Sequence, residues 1–188
     1  MSTSEGAPAT RESTPAGRES ATTAGETSIE VLVLALGNPL MGDDGLGAAV
    51  LERLAAWRWG SEVVMADGET WGLKLLPLVE EANRLLVIDA IDVGAKPGTL
   101  VTLDGAELPR LLERAVSPHQ VGLSDVLELA RLRGMLPLSL AAIGVQPEQA
   151  EFGHPLSAVV ASAVDSVATA ALRQLAAWGY AGREREGS

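Results

Sequence analysis

The sequence predicts a single-domain α/β fold, a three-layer sandwich with a five-stranded, mostly parallel, twisted sheet that carries one antiparallel strand and has helices on both faces. Three observations lead there. Short runs rich in Val, Ile and Leu recur along the chain without polar alternation, as strands buried on both faces do. Segments with helical spacing of apolar residues lie between most of them. One connection is too short for a parallel crossover.

The strands are expected at residues 29–36, 63–66, 85–91, 99–103 and 138–145. After the first of them, Leu46, Val50, Leu54 and Trp57 share one helical face, and Leu123, Val126, Leu127 and Ala130 share another later on. The longest helix closes the domain, because Leu156, Val160, Val164, Val167, Ala171, Leu175 and Trp178 follow the i, i+4, i+7 rhythm. Residues 92–98 alone join the third strand to the fourth, and a parallel crossover needs about a dozen residues. The fourth strand therefore runs antiparallel, a helix over 106–114 returns, and the loop 115–121 arrives at the carboxyl edge of the sheet. Open α/β sheets bind their ligands at that edge.

Residues 1–27 hold no bulky apolar residue after Met1 and are expected to be a disordered tail. The α/β domain is assigned to 28–180, and 181–188 to a flexible C-terminal tail. The ordered part is long enough for a real core. No secretory h-region or membrane-spanning run is present, so a cytoplasmic protein without membrane association is expected. With 25 acidic against 14 basic residues and a formal charge of −11, nucleic acid is not an expected partner. A monomer is expected. There is no cysteine, which excludes disulfides, thiolate ligands and a Cys nucleophile. Any metal must be held by oxygen and imidazole.

The most informative stretch runs from Val31 through Gly37, Asn38, Asp43 and Asp44 to Gly47. A buried strand enters a glycine-rich turn that carries adjacent carboxylates. Backbone N–H groups at such a turn attract phosphate, but two aspartates repel it and attract a cation. Neither Gly-x-Gly-x-x-Gly nor Gly-Lys-Ser/Thr is present. The alternative is that Asp43 caps the following helix, with Asp44 in its first turn. Asp89 closes an apolar run although Asp is a poor strand former, which favours a role in a site over a turn cap. Asp92 reads as a turn residue. His119 stands in Ser117-Pro118-His119-Gln120, just before a helix, and the strand directions place it beside the carboxylates. Two Asp and one His make a three-ligand set suited to nickel, manganese, iron or zinc with open positions. Asp67 and Glu69 add acids at the same edge, while His154 reads as a residue at the start of the last helix. The His-Glu-x-x-His and Gly-x-Ser-x-Gly signatures are absent.

At these residues the sequence resembles the maturation endopeptidases of nickel–iron hydrogenases, which remove a C-terminal extension from the hydrogenase large subunit after nickel insertion. The resemblance rests on Gly37-Asn38 with Asp43-Asp44-Gly45-Leu46-Gly47, on Asp67-Gly68 with Thr70, on Asp89-Ala90, and on Ser117-Pro118-His119-Gln120 with Gly122-Leu123. It implies a helix-flanked five-stranded sheet. It also implies that Asp44, Asp89 and His119 are the metal-contacting and catalytic residues of a metal-dependent hydrolase. Asp44 stands where the family commonly has Glu, and Glu69 where it commonly has Gly. The implied partner is the large-subunit precursor, and the implied metal is nickel carried by that substrate, another divalent metal being possible in isolation. Because no residue is an unambiguous nucleophile or general base, the alternative is a nickel-dependent binding protein or chaperone that docks the same tail without cutting it.

Overall fold

The computed structural model describes residues 29–69, 72–105 and 118–185, except for the side chains of 69 and 118–121. Strand β1 (Ile29–Leu36) is an unbroken apolar run and lies inside the sheet. It is flanked by β3 (Val63–Glu69) and β4 (Ala82–Ala90), and the sheet continues through β6 (Ser139–Val145) to β5 (Leu100–Asp104). All neighbours are parallel except β5, which runs antiparallel to β6. The short link after β4 has that consequence, as its length requires.

Alternation along β1 and β4 divides the core. Leu32, Leu34, Leu36, Leu85 and Val87 face one layer, with Val79 of α2 (Leu76–Glu81) and Leu123, Val126 and Ala130 of α3 (Pro118–Leu132). Val31, Val33, Leu86 and Ile88 face the other, with Leu46, Val50 and Leu54 of α1 (Leu46–Leu54) and Val160, Val164, Val167, Ala171 and Leu175 of α4 (Ala158–Ala177). Each fully buried aliphatic side chain contributes roughly 1.5–3 kcal/mol. These two layers give the sandwich cohesion independent of the loops at the sheet's edges.

Several expectations change. Trp57 does not extend α1, which ends at Leu54; it belongs to β2 (Trp57–Arg58). Within the C-terminal tail expected at 181–188, Arg183–Glu184 form β7, which pairs antiparallel with β2, and Gly182 packs on the Trp59 ring, while 186–188 lie outside the described residues. Tyr180 reinforces this corner, donating its hydroxyl to Glu30 and lying under the Arg84 guanidinium. The tail 1–27 and the helix expected at 106–114 lie outside the described residues. No helix among the described residues is long and apolar enough to cross a membrane.

Candidate active site at the carboxyl edge

Among the described residues the buried polar side chains are Asp43, Asp89, Gln146 and Ser157. All four belong to strand ends or loops at the carboxyl edge of the parallel strands. Burying such groups costs several kcal/mol unless partners meet them, so their concentration at one edge marks where the loops there are tied together.

The first loop starts where β1 ends. Gly37 has φ 107° and lies so close to the Asp44 carbonyl that a Cβ would overlap it; this backbone needs glycine. Asn38 donates its N–H to Asp44 Oδ2 at 2.8 Å, and its own Oδ1 accepts the Leu40 N–H at 2.9 Å. Asp44 sits half-buried in the 3₁₀ turn Gly42–Gly45. Gly47, just beyond, lies against the backbone of Leu36 and Ile88, where a Cβ would collide. The turn is thereby seated over the ends of β1 and β4.

Asp43 is not a helix cap. Neither the 3₁₀ turn nor α1 has a side-chain cap. Its fully buried carboxylate instead accepts the N–H groups of Glu148 and Gln149 at 2.8 and 3.0 Å, and the N–H and Oγ–H of Ser157 at 2.6 and 3.0 Å. A carboxylate has more acceptor capacity than a cap uses, and burial requires that it be filled. Ser157 is the N-cap of α4 and also accepts the Val160 N–H at 3.4 Å. The loop after β6 is thus clasped to the loop after β1. Gln146 makes a second clasp, donating to Asp92 Oδ1 at 2.9 Å and accepting the N–H groups of Val93 and Ala95 at 2.9 and 3.0 Å. Asp92 also accepts the Gly94 N–H, as a turn residue does. The Gln146 hydrogen bond, then that of Gly94, holds the Asp92 carboxyl below the usual carboxylate range.

Asp89 lies on β4 with 3 % of its surface exposed, paired in register with Gly144 of β6. It follows Leu85 and Val87 by even steps, so it points into the layer of α2 and α3. A Cβ at Gly144 would collide with the Asp89 carbonyl. His119 is not in a loop as expected: α3 begins at Pro118, so His119 is the second residue of its first turn. Proline at a helix's first position fixes φ and forgoes no hydrogen bond. The start of α3 packs on the turn after β3, since a Cβ at Gly122 would lie 3.2 Å from Gly72 Cα, and Leu123 is buried in the cluster that holds Val87 and Leu36. The backbone carrying His119 therefore arrives at the edge and on the face that Asp89 occupies.

Asp67 pairs with Ala35 at the same edge and is exposed; Glu69 pairs with Leu36 across a register shift. His154 is exposed, 3.6 Å from Glu151. Among the described residues no three His, Asp or Glu side chains converge as a metal-binding group, and the His119 imidazole lies outside them.

A family model of hydrogenase maturation proteases matches residues 48–174. The chain belongs to the hydrogenase maturation protease family. It is 42 % identical over 152 residues to a hydrogenase expression/formation protein, HupD, of Rhodobacter capsulatus, covering 79 % of this chain and 72 % of the relative. The hydrogenase 2 maturation protease of Escherichia coli is 38 % identical over 126 residues, 65 % of this chain and 76 % of that one. In three dimensions it resembles the hydrogenase maturating endopeptidase HybD from E. coli, with a TM-score of 0.80, 33 % identity and coverage of 85 % of this chain and 99 % of the other. The maturation protease HybD from Thermococcus kodakarensis gives a TM-score of 0.65 at 30 % identity over 77 % of this chain and 98 % of its own. Asp89 and His119 fall inside the span matched to the maturation proteases, and Asp44 lies just before it. The clasp residues Asp43, Gln146 and Ser157 were invisible as partners in sequence, because they are joined across 51 to 114 positions. The one available signal was Gln146, a polar residue that closes an apolar strand.

Proposed function

We propose that this protease removes the C-terminal extension of a nickel–iron hydrogenase large-subunit precursor, with Asp44, Asp89 and His119 recognising nickel that belongs to the precursor. The observation that supports this most is Asp89, a buried carboxylate at the end of an apolar strand, on the face and at the edge where the first turn of α3 brings His119. The hydrogen-bonded seat of Asp44 beside the ends of β1 and β4 supplies the third position. Two carboxylates and an imidazole, without thiolate, fit a borderline divalent ion and leave positions open for other ligands. A metal next to a peptide polarises its carbonyl or a water, which contributes several kcal/mol in general metal catalysis.

The test is to incubate the purified protein with nickel-loaded precursor and weigh the products by mass spectrometry. The wild type releases a C-terminal peptide, while Asp89→Ala and His119→Ala release none and stay folded by circular dichroism. Association without cleavage would favour the chaperone alternative. Wild-type rates in either variant would remove that residue from the site.

A further inference from the structure

Exposed large apolar side chains are unevenly distributed over the described residues. Leu40, Leu73, Val93, Leu100 and Phe152 lie on the loops and strand ends of the carboxyl edge, and Leu132 and Leu138 at the opposite one. Two of the first group stand together. Gly153 donates its N–H to the Leu40 carbonyl at 2.7 Å, and Gly42 donates to the His154 carbonyl at 3.1 Å, so the segments carrying Leu40 and Phe152 run side by side. Leu40 is 59 % exposed and Phe152, the chain's single phenylalanine, 74 %. These are not slack loops. The four hydrogen bonds on the Asp43 carboxylate and the Asp43 N–H bond to the Gln149 carbonyl fix both backbones. An aromatic and an aliphatic side chain held outward on a pinned backbone lose little further freedom on docking.

We propose that Leu40 and Phe152 form a preorganised docking ridge for the body of the precursor protein, which seats an apolar patch on them as its tail enters the site. This rests on the reading under Proposed function. The occupant is argued from position and charge. Leu40 lies four residues before Asp44 on the same loop, so the ridge adjoins the turn that carries Asp44. The exposed carboxylates of Asp67, Glu148 and Glu151 lie at this same edge on a chain of net charge −11, which favours a partner patch rimmed by basic residues.

The test uses the full chain and purified nickel-loaded precursor. In the double variant Leu40→Ser with Phe152→Ser, KM is expected to rise about tenfold or more, as for loss of an interface hot spot, with kcat within about twofold. The control double variant Leu132→Ser with Leu138→Ser, equally exposed at the far edge, keeps wild-type KM. An unchanged KM in the first pair, or an equal rise in the control, overturns the proposal. If the wild type releases no peptide at all, the cleavage reading has failed by itself. Calorimetric binding of precursor then decides the ridge: weaker binding in the first pair alone supports it, and equal binding by all three proteins overturns it.

Discussion

Replacing Asp44 by Glu and by Asn separates charge from shape at the first loop. The Asn variant keeps an oxygen for the Asn38 N–H but loses the negative charge; the Glu variant keeps the charge and adds one methylene. As a metal contact, Asp44 should tolerate Glu and lose most activity as Asn. As a helix cap it would rank them the other way, because Asn caps about as well as Asp. Precursor-processing rates measured beside melting temperatures decide the order, and an active Asn variant with an inactive Glu variant removes Asp44 from the site. At this scale the sequence showed where a polar residue interrupts an apolar run or a glycine turn, and Asp89 and Asp44 stand at the carboxyl edge as those interruptions led one to expect. It was misleading at Asp43, since adjacency to Asp44 says nothing about which backbone, more than a hundred residues away, will fill a carboxylate's acceptor positions.

The elements of the site are held together by Asp43. Its side chain ties the 3₁₀ turn after β1 to the loop after β6 and to the N-cap of α4. Asp43→Ala strands the N–H groups of Glu148, Gln149 and Ser157 together, so a loss of about 2–4 kcal/mol is expected. Ser157→Ala, which removes one cap and one donor, should cost about 1 kcal/mol. Urea denaturation of the three proteins checks the ranking, and an Asp43→Ala midpoint within error of the wild type would contradict it. Processing by Asp43→Ala should also fall at temperatures where it is still folded, because the turn that presents Asp44 loses its anchor. Helix boundaries were read well where burial set the period, as in α4, and poorly where a local interaction competed. Trp57 fits the apolar spacing of α1, yet the chain leaves the helix at Ala55, with Trp59 Nε1 donating to the Leu54 carbonyl.

For the molecule as a whole, the layer order and the single antiparallel strand followed from run composition and from the length of one link, both of which are physical limits independent of detail. The β2–β7 ribbon could not be read this way, since two-residue strands carry no periodicity and owe their pairing to tertiary contact. Residues 1–27 lack any bulky apolar side chain beyond Met1 with which to pack. Their deletion should change neither the melting temperature nor the processing rate, and a marked drop in either would show that the segment contacts the domain or its substrate. The ribbon has a practical consequence. Glu184 ends beside Trp57, and Tyr180 next to it touches Glu30 and Arg84 at the starts of β1 and β4, while Ile29 begins β1 at that same edge. Both ends of the domain thus leave from the side opposite Asp44 and Asp89. A sensor chip, bead or fluorescent fusion attached at either end therefore holds the protein by its back, with the acidic edge turned toward whatever is flowed past it.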